Sequence, residues 1–324
     1  MKKRLVLIFA LIAGGSILAQ GRYHTAIRAG ILNLVSADSR PPVESEVSIF
    51  TANEKRVIKS NGIPEHNVGR FPNRGNPNAI RAQANTISIP EHPNVADRIT
   101  HMHGQRPGPK VFGIALNGVT FEPGAGEFWK GNPSWQYEPL GAAIPLGLDE
   151  NHAHVQPTGK YHYHGLPSGL MKRLGYREGS HSPLIGWAAD GFPIYVRYGY
   201  KNPKDPDSGV VDLQPSYQLI AGNRPSEPEG PGGRYDGTFV RDYHYIENSG
   251  DLDECNGRFC VTPEFPGGTY AYFMTEKWPV VPRAFRGTPT VIGHPGEGGM
   301  RHPPHGKGKG KGKGKGFPPP PGRF

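Results

Sequence analysis

One residue in four is a glycine or a proline: 46 Gly and 35 Pro in a chain of 324. Punctuation this dense leaves no window in which apolar residues recur at i, i+3, i+4 and i+7 for several turns, so helical bundles and coiled coils are excluded. Between the breaks stand short β-branched or aromatic stretches: Val47–Phe50, Thr86–Ile89, Val111–Leu116, Tyr161–His164, Phe192–Val196, Tyr243–Ile246 and Thr269–Phe273. Stretches of this kind, bounded by turn formers, read as strands. Hydrophobic residues make up only 35% of the chain, which by itself would suit a disordered polymer. The 14 Phe, 14 Tyr and 4 Trp oppose that, because a disordered chain has no core in which to bury aromatics. The expected fold is all-β, with long ordered loops and few short helices, in a single sandwich- or barrel-like domain. Only Pro167–Leu174 offers a turn or two of helix.

The N-terminus predicts export. Lys2, Lys3 and Arg4 precede the apolar run from Leu5 to Ala13, and Ile17-Leu18-Ala19 makes a cleavage site before Gln20. This is the pattern of a secretory signal peptide rather than a membrane anchor, and no other run is long and apolar enough to span a bilayer. The expected segments are a signal peptide at 1–19, a lead-in at 20–45, a β domain at 46–293 and a cationic Gly/Lys/Pro tail at 294–324. The formal charge of +9 resides in the signal and the tail, leaving residues 20–293 neutral. A nucleic-acid-binding surface, which needs basic residues clustered on the folded domain, is therefore not expected. The tail suits attraction to an anionic envelope polymer, or plain solvation.

Six of the 14 histidines fall in i, i+2 pairs: His101/His103, His152/His154 and His162/His164. Residues two apart on a strand share a face. In Tyr161-His162-Tyr163-His164 the alternation puts tyrosines on one face and histidines on the other. Asp149 to His154, the Pro157-Thr158-Gly159 break and Tyr161 to His164 read as a hairpin that gathers His152, His154, His162 and His164. Imidazoles converging with few acids favour copper or zinc over calcium or magnesium. His66, His181 or His244 could add a ligand. Asp190, most simply a turn residue, and Glu150 are the candidate acid/base groups should the site catalyse a reaction. H-E-x-x-H, G-x-S-x-G and P-loop patterns are absent from the sequence. Cys255 and Cys260, in an exported chain, are expected to close a short disulfide loop, with a pair of thiol ligands as the other reading. A further feature is an internal echo, Gly159 to His164 against Gly268-Thr269-Tyr270-Ala271-Tyr272-Phe273, which suggests a duplicated hairpin.

At Tyr161-His162-Tyr163-His164 the chain resembles the YHYH-domain family. The resemblance extends to Ser60-Asn61-Gly62-Ile63-Pro64-Glu65-His66, Leu116-Asn117-Gly118-Val119, Ser182 to Gly186, Asp190 to Tyr195, Leu252 to Gly257 and Gly268-Thr269-Tyr270, covering roughly residues 57 to 290. It implies one domain in an exported bacterial protein, periplasmic or extracellular, and supplies no reaction. His154, His162 and His164 stand at the positions it singles out. The expectation is thus an exported protein binding copper or zinc through His154, His162 and His164, with His152 or His66 completing the set. The alternatives are a metal-dependent hydrolase or oxidoreductase, and a cell-surface or polysaccharide-binding protein.

Overall fold

The computed structural model describes residues 33–102, 109–141 and 143–293. The expected signal peptide, His103 and the cationic tail lie outside these. The chain divides into Met1–Ile292 and Gly293–Phe324, and the account below concerns the first unit. Its described lead-in residues join the domain through isolated bridges, Val35 to Asp149 and Ser39 to Val68.

Strands dominate, as the punctuation predicts. In chain order they are β1 (Val47–Ala52), β2 (Lys55–Ser60), β3 (Asn85–Pro90), β4 (Val95–His101), β5 (Gly113–Ala115), β6 (Thr120–Phe121), β7 (Ala153–Val155) and β8 (Tyr161–Tyr163). After the helix α1 (Ser168–Arg173) follow β9 (Gly186–Ala188), β10 (Pro193–Val196), β11 (Tyr198–Tyr200), β12 (Val210–Asp212) and β13 (Tyr217–Leu219). The last four are β14 (Tyr243–Tyr245), β15 (Gly257–Cys260), β16 (Thr269–Met274) and β17 (Ala284–Gly287). Among the described residues the one α-helix stands where the sequence allowed it, beside two short 3-10 turns at Trp129–Gly131 and Val240–Asp242.

Eight strands form the central sheet, in the order β15-β16-β10-β9-β5-β6-β8-β7. Its edge strands β15 and β7 are not paired with each other, so it is an open sheet and not the closed barrel that the sequence left possible. The order reads the same from either edge. Hairpins β5-β6 and β7-β8 meet through parallel β6 and β8, and hairpins β9-β10 and β15-β16 meet through parallel β10 and β16. The two halves join in the middle through antiparallel β5 and β9.

Details repeat with the topology. Tyr161 Oη donates to Asp149 Oδ2 at 2.7 Å, and Tyr270 Oη to Asp253 Oδ1 at 2.9 Å. Tyr163 Oη accepts from Asn117 at 2.9 Å, and Tyr272 Oη donates to Asp190 at 2.5 Å. Asp149 and Asp253 each begin a tight turn whose fourth residue is left-handed, His152 at φ 52° and Asn256 at φ 57°. The echo in the sequence is therefore one visible line of a repeated four-strand frame.

Strand alternation gives the sheet two unlike faces. One carries Phe121, Tyr161, Tyr163, Ile194, Tyr270 and Tyr272 into the main core. The opposite face is covered in three patches. At the centre Ile114 and Trp187 pack with Ile58, Ile87 and Ile89 of the β1-β2-β3 meander. Over the second half Tyr195, Ala271 and Phe273 pack with Leu213, Leu252 and Cys260. Over the first half stand the histidines.

Cys255 and Cys260 are both free and buried, which corrects the expected disulfide. Cys255 packs into the main core and Cys260 into the small cluster around Phe273, so the two thiols belong to different packing environments.

Candidate metal centre

The hairpin forms as the sequence reads. β7 and β8 pair antiparallel with His154 directly opposite His162, and Gly159 at φ 89° turns the chain between them. His164 continues the face of His162, since its intervening neighbour Tyr163 points into the main core. The three rings form a nearly symmetrical cluster, with every pair of centroids 4.7 Å apart and interplanar angles of 63°, 68° and 73°. One nitrogen from each ring lies within 4.8 Å of the other two. His154 Nε2 and His164 Nε2 are 3.1 Å apart. Tetrahedral coordination at metal–nitrogen distances near 2.05 Å needs ligand nitrogens about 3.3 Å apart. Small side-chain shifts would therefore seat an ion.

Hydrogen bonds orient the rings. His154 Nδ1 donates to Leu146 O at 3.0 Å, which leaves Nε2 as the lone-pair nitrogen. Asn76 braces the same strand from the side, its amide donating to Val155 O at 2.9 Å. His162 Nδ1 lies 3.4 Å from Lys160 O, again turning Nε2 inward. His164 Nδ1 is buried with no partner among the described residues. A ring that ligates through Nε2 carries its proton on Nδ1, so a metal ion between the two Nε2 atoms would require His164 in the Nδ1-protonated form.

Burial disfavours the charged form of all three rings. Burial pushes His162 and His164 well below the ordinary imidazole value of 6.5, and their histidine neighbours add to the shift. His154, which is half-buried, is lowered by the same desolvation. Neutral imidazole is the form that ligates a metal, so a cluster that resists protonation is already prepared for one.

Two expected ligands stand elsewhere. His152 precedes β7 in the left-handed turn, so the i, i+2 relation with His154 fails and its Nδ1 bonds Leu166 O at 2.9 Å. His66 sits on the tyrosine face, with Nε2 2.6 Å from Tyr163 Oη and Nδ1 2.7 Å from Asn67 O. It props the strand from behind. Among the other histidines, His181 packs against Tyr195 and Tyr200, His244 stands opposite Gln218 in β14, and His101 lies 3.5 Å from Glu254. The proposed acid/base residues are also committed: Asp190 accepts from Tyr272 Oη and Gly287 N, and Glu150 from Ala37 N.

The structure adds what the sequence reading missed. Glu122 and Lys160, each less than a tenth exposed, form an ion pair of 2.6 Å on the histidine face. Lys160 was visible in principle, two residues before His162 and just ahead of β8. Glu122 was not, because its face follows only from the pairing of Thr120 with His162.

A protein-family model described as YHYH protein matches residues 86–287, more than half of the chain. No curated protein and no solved structure matches it significantly.

Proposed function

This chain belongs to the YHYH family, and on that premise we propose that it is an exported protein which holds one transition-metal ion, copper or zinc, on Nε2 of His154, His162 and His164. The observation that carries the reading is the convergence of three imidazoles, one nitrogen of each within 4.8 Å of the others, on a buried face that disfavours their charged forms. The all-imidazole donor set favours copper or zinc over hard cations, and three protein ligands leave room for a fourth. The signal-like N-terminus supports placement in the bacterial periplasm or outside the cell. No helix among the described residues is long and apolar enough to cross a membrane.

The test is metal analysis by mass spectrometry of the purified mature protein beside His162→Ala/His164→Ala. Near-stoichiometric copper or zinc in the wild type, lost from the variant, is the expected result. A folded wild type that carries neither metal and takes up neither when offered it would overturn the reading. Export is checked by the same preparation: the mass of the periplasmic or secreted protein should place its first residue at Gln20.

A further inference from the structure

We infer that the Glu122–Lys160 ion pair is the anion-holding part of this same site, with Lys160 fixing a small monoanion at the metal position that the three histidines leave open. The inference rests on the metal reading and names what the site takes besides metal. Three neutral imidazoles contribute no negative charge, so a divalent ion bound by them carries its full charge into a buried place. An anion at the open position relieves that charge, and a donor beside it selects which anion fits.

The pair is placed for this. Lys160, His162 and His164 alternate along one face, while the register of Thr120 opposite His162 puts Thr120 and Glu122 on that face from the neighbouring strand. The carboxylate of Glu122 acts electrostatically on His154 and His164, and the ammonium of Lys160 on His162. Glu122 is itself fully engaged. Its Oε1 accepts from Thr120 Oγ1 at 2.8 Å and lies 2.6 Å from Lys160 Nζ in the ion pair, and its Oε2 accepts from Gln156 Nε2 at 2.7 Å. It is thus a poor candidate for a ligand or a base and a good one for aiming Lys160. An ammonium has three N–H donors, more than one carboxylate oxygen of Glu122 can take, which leaves Lys160 donor capacity for a ligand.

Burial alone does not single out the pair, since Arg224–Asp242 and Arg283–Glu138 are buried too; its place on the histidine face does. Removing two charges from water is costly, and a buried ion pair is seldom more stabilising than an apolar packing of the same volume. The repeated frame supplies the comparison within this molecule: the register places Tyr195 where Glu122 stands and Thr269 where Lys160 stands. That half closes without a buried pair, Tyr195 stacking on Phe273 at 5.6 Å. The size of the ligand is bounded by burial, since His162 and His164 are each 2% exposed and only His154 reaches appreciably toward solvent. A monoanion of the size of azide or formate fits that description.

The test loads the full chain with cobalt(II), whose visible spectrum responds to each change of ligand, and titrates it with azide and then formate. Affinity is read on the loaded fraction, with metal content measured alongside. Saturable spectral change is expected in the wild type, and at least tenfold weaker azide binding in Glu122→Gln/Lys160→Met, which removes both charges together. Should that variant not fold, Glu122→Tyr/Lys160→Thr installs the residues of the other half, and the same loss is expected. Wild-type azide affinity in either folded double variant would overturn the inference and leave the metal reading standing. A wild type that takes up no cobalt, copper or zinc would overturn both.

Discussion

The two halves of the central sheet share a frame and differ on one face. In both, a buried or half-buried aspartate anchors the turn before the outer hairpin and the first tyrosine of the G-x-Y-x-Y strand, and a polar residue of the inner hairpin turn meets the second. On the opposite face the places of His154, His162 and His164 are taken by Arg258, Ala271 and Phe273. Arg258 lies over the Phe273 ring at 5.5 Å and donates to Tyr200 O at 2.6 Å, closing that patch with packing and one backbone bond. The aspartate–tyrosine frame is therefore what the topology needs, and the histidines are what it does not need. A site whose residues can be exchanged for a packed arginine, alanine and phenylalanine while the frame persists is best understood by its chemistry, and not as a device for folding.

The comparison breaks most sharply at the frame. Asp149 is fully buried and accepts from Tyr161 Oη, Gly69 N and Asn151 N. Asp149→Ala strands these donors and should cost about 3–5 kcal/mol in denaturant unfolding, enough to threaten the fold. Asp253→Ala, at a half-buried place, should cost less. Equal and small effects would mean that the frame is not what holds the halves. Metal addition tests the faces in turn. At free metal about a thousandfold above Kd, the wild type should gain about 4 kcal/mol of stability and His162→Ala/His164→Ala none. A similar gain in both would place the metal away from the cluster.

Acid tests the same difference without metal. The folded-state pKa values of His162 and His164 lie well below 6.5, so below about pH 6.5 the unfolded chain binds protons that the folded chain refuses. Stability is then complete above that pH and falls as the pH drops toward the folded-state values. The metal-free wild type should lose stability more steeply than the double alanine variant between about pH 6.5 and 5, by up to about 2.7 kcal/mol per pH unit. Parallel curves would show that the rings are protonated in the fold. The smallest effect concerns the second half, where Cys260 occupies the position that Gln156 holds in the first. Because Cys255 and Cys260 are free, a reducing agent should leave the melting temperature unchanged, and a measurable drop would restore the disulfide.

Much of this was legible in the sequence, and the limits are instructive. The alternation in Tyr161 to His164 assigned both faces of β8 correctly, because strand periodicity is local. The same rule failed at His152, where a left-handed residue ends the alternation one step before the strand begins. No spacing in the sequence marks that turn as different from a strand continuation. His66 was unplaceable because its partner Tyr163 is almost a hundred residues away, on the face that the histidines do not use. The repeat was visible only as six residues, since the frame is kept by side-chain roles, Asn117 serving where Asp190 serves, and not by residue identity. Glu122 needed the β6–β8 register, which is a long-range fact.

The three converging histidines all lie between residues 154 and 164, on one hairpin closed by a short turn. Loops of about ten residues close in tens of nanoseconds, whereas the parallel neighbours of this sheet must wait for distant segments to meet. The three histidines thus belong to a portion of the chain with low contact order. Its rings can be gathered as soon as the hairpin zips, before the sheet that later buries them exists. A metal ion present at that stage would act as a nucleus for assembly rather than as a guest admitted to a finished protein, and the order in which ion and sheet arrive would be set by the chain's own connectivity.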